Sequence, residues 1–203
     1  MAKNYVSNSR ESTRMFKSNF LEPLSKVHYS VPLFIFIPVI GYFSWSALFP
    51  GKMSLLSFAA YYSGGLFIWS LTEYVMHRFV FHFTPKGKLM ERIHFIFHGV
   101  HHDYPNDAMR LVMPPSVSIP LATGFYFLFS LFFTEFPLAA FFSGFITGYL
   151  FYDMTHYALH HASFKNEFWK KLKKHHMVHH YSDSEKGFGV SSNFWDKIFG
   201  SDY

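Results

Sequence analysis

Within six positions the chain places His175, His176, His179 and His180, in the stretch K-K-L-K-K-H-H-M-V-H-H-Y-S-D from Lys170 to Asp183. Neutral imidazole is the commonest metal ligand among side chains, and positions three and four apart share one face of a helix, so this spacing reads as a comb of metal ligands. A solvated basic tail that happens to be rich in histidine is the bland alternative, but the block does not stand alone. Thirteen of the 14 histidines fall in four blocks, with only His28 outside: His77 and His82; His94, His98, His101 and His102; His156, His160 and His161; and the opening four. The chain has no cysteine, which excludes disulfides, thiolate metal sites and thiol nucleophiles together. Any metal must therefore be held by His, Asp or Glu.

Helix geometry sorts the candidates. At about 100° per residue, His98, His101 and His102 fit within a sector of about 100°, as do His176, His179 and His180, so each triplet is expected to face one centre. His156 and His160 lie about 40° apart, whereas His161 is turned about 140° from His156 and reads as a surface residue or a support behind the ligands. His77 and His82 diverge by about 140° on an ideal helix, so they either bracket a distortion or serve different metals. His94 can join His98 geometrically and stays ambiguous, and His175 sits beside its block. Ten histidines are favoured: His77, His82, His98, His101, His102, His156, His160, His176, His179 and His180. A structural zinc takes four ligands and a catalytic zinc about three plus water, so ten imidazoles imply two ions, each with an open position. Imidazole suits iron, zinc and copper alike, and ligand type does not name the metal. Glu73, Asp103 and Asp153 are the carboxylates placed to hold the far ring nitrogen of a ligand. Asp153 is the best of them, three residues before His156 on the same helical face.

These blocks need elements that bring them together. Half of the 203 residues are hydrophobic, 28 are Phe, and only 15% are charged, against roughly 25% in an ordinary soluble domain. The apolar residues are concentrated in blocks, which implies membrane segments. Residues 1–30 are polar and basic and read as an interfacial lead-in, with Met15, Phe16, Phe20, Leu21 and Leu24 toward the membrane and Pro23 interrupting the pattern. An uncharged run from Val31 to Phe49 meets the roughly 20 residues needed to cross a bilayer core. After the turn Pro50-Gly51-Lys52 a second helix is predicted from Ser54 to His82, longer than the bilayer core, so that His77 and His82 emerge from it. Two more apolar runs, Ser116 to Phe133 and Pro137 to Tyr152, are separated by three residues and imply an antiparallel hairpin.

The expected organisation is a single domain over residues 1–203. It comprises the interfacial segment 1–30, a first hairpin 31–82, a cap segment 83–115, a second hairpin 116–152 and a C-terminal cap 153–203. The fold class is an all-α integral membrane protein, four transmembrane helices in two hairpins under a helical cap that carries the histidines. Of the 18 Lys and Arg, 17 fall on one side of that topology, so by the positive-inside rule the cap and both termini are expected to be cytoplasmic. The net charge of +5 flanks the apolar blocks, which points to anionic lipid headgroups and not to nucleic acid. Lys170, Lys171, Lys173 and Lys174 fit a positive anchor at the membrane surface or, less simply, a dock for an acidic electron donor.

The blocks H77-R-F-V-F-H82, H98-G-V-H-H102, H156-Y-A-L-H160 and H176-M-V-H-H180 resemble the histidine boxes of the fatty acid hydroxylase and sterol desaturase superfamily. The stretches R-L-V-M-P-P from Arg110 and G-F-G-V-S-S-N-F-W-D from Gly187 further resemble its fatty acid 2-hydroxylase branch, and the likeness covers about Tyr61 to Phe199. The resemblance implies a membrane oxygenase that hydroxylates a long acyl chain, at C2 of a fatty acid or a sphingolipid N-acyl group. It also implies that the ten histidines hold two iron ions and that O2 is co-substrate; since imidazole suits both metals, zinc can replace iron in a purified sample. His94, His161 and His175 lie beside the boxes and are not carried over as ligands. Members of that branch often carry a fused cytochrome b5 domain, for which residues 1–30 leave no room, so electrons are expected from a separate donor of the cytochrome b5 or ferredoxin type.

Three rivals are set beside this. A related superfamily oxygenase or desaturase acting on sterols, carotenoids or alkyl lipids would use the same boxes. A metal-transport or metal-storage membrane protein would favour ionisable residues inside the spans, whereas here the histidines lie beyond their ends. A structural membrane protein with a vestigial site is the third.

Overall fold

A computed structural model describes residues 6–49 and 52–203, so Lys3 and the turn residues Pro50 and Gly51 lie outside the described residues. All regular secondary structure among the described residues is helical, without strands: α1 (Leu21–Leu24), α2 (Val31–Leu48), α3 (Leu55–Val75), α4 (Lys88–His94), α5 (Val100–Asp103), α6 (Pro115–Ser130), α7 (Glu135–His161), α8 (Glu167–Tyr181) and α9 (Phe194–Ile198). Two short π-helical stretches, Met76–Phe81 and Phe95–Gly99, interrupt the α pattern beside the first two histidine blocks.

Local chemistry sets the ends of these helices. Pro32 sits in the first turn of α2, where its missing N–H costs nothing. Ser54 caps α3 by accepting from the Ser57 N–H at 3.1 Å, and Asn166 caps α8 by accepting from the Phe168 N–H at 2.8 Å. The α6–α7 connection is as tight as the sequence implies, with only residues 131–134 between the helices.

Helix α7 is the axis of the molecule. It runs 27 residues, from the hairpin turn through a buried aromatic stretch to His156 and His160. Phe141, Phe142, Phe145 and Tyr149 pack edge-on against Phe36, Phe43 and Phe129 of the neighbouring helices, for example Phe36 on Tyr149 at 5.0 Å between ring centroids and an interplanar angle of 80°. Where α3 crosses α7, two glycines let the backbones touch. A Cβ on Gly144 would run into the Tyr62 carbonyl, and one on Gly65 into the Phe141 carbonyl. Gly144→Ala is therefore expected to force the two helices apart at a cost of about 1–3 kcal/mol, read as a lower melting temperature in detergent. An unchanged melting curve would mean that the crossing is looser than drawn.

The outward faces of α2, α3 and α6 carry Phe34, Leu55, Leu56 and Phe127, all well exposed. Among the described residues, Val31–Leu48 is the one helix long and apolar enough on its own to cross a membrane. α3, α6 and α7 occupy the places expected of the other three spans without meeting that criterion. α6 has only 16 residues, short of the roughly 20 that a span needs, and α3 and α7 are diluted by Ser, Thr, Gly and Tyr.

Candidate metal centre

Ten imidazoles converge in two groups of five: His77, His82, His98, His102 and His179 in the first, and His101, His156, His160, His176 and His180 in the second. Within each group the ligand-capable nitrogens all lie within 4.8 Å of one another. In the first group Nε2 atoms face each other at 3.1 Å (His77 and His98), 3.1 Å (His82 and His102), 3.0 Å (His98 and His102) and 3.0 Å (His82 and His179). In the second the separations are 2.9 Å (His101 and His156), 2.9 Å (His160 and His176) and 3.2 Å (His176 and His180). Nitrogens about 2.1 Å from a common centre and at right angles to one another would lie about 3.0 Å apart, so both groups fit a metal ion.

The local helix geometry explains how. In a π-helix the hydrogen bond runs from i to i+5, so residues five apart come to stand one above the other, as residues four apart do in an α-helix. The His82 N–H donates to the His77 carbonyl at 3.1 Å, and the two rings come within 5.0 Å of each other. Of the two options the sequence left for this pair, the distortion is the one present. The triplets differ from expectation: neither faces a single centre. His98 and His102 point to the first group while His101 points to the second, and His176 and His180 point to the second while His179 points to the first. On a helix the outer pair of H-x-x-H-H is only about 40° apart, and the middle histidine lies about 60° to one side of the first and about 100° from the last. One motif thereby reaches two centres.

The surroundings hold the imidazoles in a ligand-ready state. His77 Nδ1–H donates to the Phe188 carbonyl at 2.5 Å and His179 Nδ1–H to the Lys186 carbonyl at 2.6 Å, which leaves each Nε2 with a free lone pair. Both carbonyls belong to a C-terminal loop pinned by two buried carboxylates. Glu73 accepts from the Val190 N–H, the Ser191 N–H and the Ser191 hydroxyl at 2.7–2.8 Å. Asp196 accepts from the Phe188 N–H at 2.9 Å, the Gly189 N–H at 2.8 Å and the Ser201 hydroxyl at 2.8 Å. In the second group the Nδ1 atoms of His101, His176 and His180 are buried without a hydrogen-bond partner among the described residues.

Burial, followed by repulsion among the neighbouring rings, pushes the histidines far below their ordinary value of 6.5: His82 to about 2, His156 to about 3, and His98, His101 and His176 well below. Burial also takes His179 down to about 4, against the opposing effect of the Lys186 carbonyl. The folded chain thus binds fewer protons than the unfolded chain at any pH between those values and 6.5. Stability of metal-stripped protein is expected to drop as pH falls below about 6.5, because each buried neutral histidine takes up a proton on unfolding. Melting temperatures taken from about pH 7.5 down to about pH 5.5 check this, and a flat profile would contradict it.

The other residues proposed from sequence go elsewhere. Asp153 does not hold a histidine: its carboxylate accepts from the Tyr149 hydroxyl at 2.9 Å and from the Met113 N–H at 3.3–3.4 Å. His94 packs against Phe83, and exposed His161 against Tyr157. His175 reaches Asp196 at 3.4 Å and Asp202 at 3.5 Å, behind the loop that serves His77 and His179. Asp103 shows no contact with a ligand nitrogen and owes its raised pKa to burial. Sequence reasoning missed Asp196, although it closes the G-F-G-V-S-S-N-F-W-D stretch. It also missed the cluster in which buried Arg110 binds Glu22 at 2.7 Å, the Thr13 carbonyl at 2.8 Å and the Ser25 hydroxyl at 3.0 Å. That cluster straps residues 13–26 across the cap. Met15 turns inward as a result, while Phe20, Leu21 and Leu24 remain exposed.

Beneath the strap lies a cavity of about 480 Å³. Its walls are mainly apolar, from Met15, Phe16, Met76, Phe81, Val112 and Met113 among others, and it reaches His98 of the first group and His101 and His156 of the second.

A helical scaffold that sets two five-imidazole clusters, each able to hold a metal ion, along an apolar cavity has the layout of a metal-dependent protein for an apolar ligand. The chain belongs to the fatty acid hydroxylase family, whose sequence model matches residues 62–201. It is 43% identical over 190 residues to the ceramide very long chain fatty acid hydroxylase scs7 of Schizosaccharomyces pombe, covering 91% of this chain and 53% of that protein. It is 37% identical to the dihydroceramide fatty acyl 2-hydroxylase FAH2 of Arabidopsis thaliana, over 94% of this chain and 80% of the relative. The human fatty acid 2-hydroxylase is 38% identical over 92% of this chain and 55% of its own length. The chain thus spans about half the length of its fungal and animal relatives. A solved structure, full-length scs7p with only the hydroxylase domain visible, superposes with a TM-score of 0.86 at 40% identity, covering 91% of this chain and 70% of that one.

Proposed function

We propose that this chain hydroxylates a long acyl chain at C2, in a fatty acid or a sphingolipid N-acyl group, as a membrane di-iron oxygenase. The carrying observation is the apolar cavity lined by histidines of both groups. Relatives bearing the names ceramide, dihydroceramide and fatty acid 2-hydroxylase support the substrate class. Five imidazoles per group exceed the four of a tetrahedral zinc site, so a metal that accepts more ligands, iron among them, uses the whole set. Two bound irons would supply the activation of O2 and the insertion of one oxygen atom into an unactivated C–H bond, with electrons from a separate donor of the cytochrome b5 or ferredoxin type.

The protein's own residues do the rest. His77, His82, His98, His102 and His179 would hold one ion and His101, His156, His160, His176 and His180 the other. The loop carbonyls of Lys186 and Phe188 fix the ring orientation of His179 and His77. The apolar walls exclude water and line the acyl chain up against the centres. In this reading α2, α3, α6 and α7 form two hairpins in the bilayer, and the cap and both terminal segments face the cytoplasm, in keeping with the Lys and Arg distribution.

Lipid mass spectrometry of a host expressing the chain, with and without His179→Ala, is the test. The wild-type chain is expected to yield 2-hydroxyacyl lipids and the variant none. If neither yields them while another hydroxylated or desaturated lipid accumulates, the substrate assignment fails and a related oxygenase reading replaces it.

A further inference from the structure

The main cavity does not end at the histidines. It shares Met76, Phe81, Met113, Leu121 and Tyr152 with a second, smaller space of about 40 Å³ between α3, α6 and α7. Beyond the shared residues this space is closed by Trp69, Ala122, Phe125, Phe145 and Ile146, a wall with almost no polar surface. At the other end of the main cavity, Leu21, Leu24, Val80 and Phe97 both line it and are exposed, so that end is the mouth. Ser25, Arg110, Ser116 and Asp153 line the main cavity, whereas Thr72, Glu73, Ser118 and Tyr149 border the small space but expose almost no polar surface to it.

We propose that the small space is the end stop for the acyl tail and that Ala122 and Phe125 of α6 set the length of chain the protein accepts. The inference rests on the acyl-hydroxylase reading above. Its logic is orientation. Reaction at C2 places the carbonyl end at the histidines, and whatever is attached to that carbonyl must leave through the mouth. The rest of the chain has to run inward, where only apolar walls receive it. A polar head in the small space would give up its water for walls that expose almost no polar surface, whereas an acyl tail loses nothing there. Interiors are packed so closely that one added ring at its wall changes how many methylenes fit.

The experiment expresses the full chain as wild type, Ala122→Phe and Phe125→Ala, and reads two quantities: the chain-length profile of 2-hydroxyacyl products and the metal bound per chain. Ala122→Phe fills the space and is expected to move the profile toward shorter chains by roughly two to four carbons, about the number of methylenes that a ring displaces. Phe125→Ala enlarges it and is expected to extend the profile toward longer chains. Metal content stays at the wild-type level in both. If Ala122→Phe fails to accumulate, Phe125→Ala alone decides, because it removes bulk. An unchanged profile in an active variant overturns the inference and leaves the space as a packing gap. A folded, metal-loaded Ala122→Phe chain without product of any length overturns it too. A wild-type chain that makes no 2-hydroxyacyl product sinks instead the functional reading on which the inference stands.

Discussion

Replacing His176 with alanine is expected to lower 2-hydroxyacyl product by at least about 100-fold and to reduce bound iron from two per chain toward one. His176 is fully buried, and its Nε2 lies 2.9 Å from that of His160 and 3.2 Å from that of His180. Four imidazoles would remain at that centre, enough for a tetrahedral zinc. The count must therefore be made on iron-loaded protein, by elemental analysis beside the lipid assay. Two irons and full product in the variant would remove His176 from the ligand set and leave the second group as a histidine-rich core.

The second large effect is expected from a residue that touches no ligand ring. Asp196→Ala strands the N–H groups of Phe188 and Gly189 and the Ser201 hydroxyl inside the protein. Each buried donor left without a partner costs about 1–3 kcal/mol, and losing the anchor of such a network typically costs about 3–5 kcal/mol. The loop 186–191 should then come loose before the helices do. His77 and His179 lose the carbonyls that hold their rings, and metal affinity at the first group is expected to fall about 10–100-fold, the range usual for residues that orient ligands. Chelator competition, read separately from the melting curve, distinguishes this from general unfolding. Asp196→Asn, which keeps one acceptor oxygen, is expected to recover part of the loss. Wild-type chelator resistance in Asp196→Ala would show that the loop is dispensable to the rings it touches.

The four blocks were legible because histidine is too uncommon to crowd into H-x-x-H-H twice without a reason, and because apolar runs announce helices of known length. The ten favoured histidines are the ten that the fold brings together. How they divide was not legible. An angular sector of about 100° looks like one target when the helix is considered alone, and becomes two when partners stand on either side of it. The π stretch at Met76–Phe81 hid for a similar reason: H-x-x-x-x-H is a poor α-helical pair, and only the i to i+5 bond from His82 makes it a good one. Asp153 misled by its spacing, since a position on the correct face is not yet a contact. It turned to Tyr149 and to a backbone N–H that otherwise lacked a partner. Glu22 and Arg110 lie 88 positions apart, and their pairing depends on a chain path that no local pattern records.

The division of each H-x-x-H-H between the two groups has a thermodynamic consequence. α5 carries His101 and His102 on adjacent positions that serve different centres, as α8 does with His179 and His180. Filling one proposed centre fixes the rotation and depth of both helices, so part of the ordering needed at the other is already done. Linkage makes the effect mutual: whatever factor the first ion adds to the affinity for the second, the second adds to the affinity for the first. The two sites are thus expected to load as a pair, with half-filled chains scarce at every metal concentration.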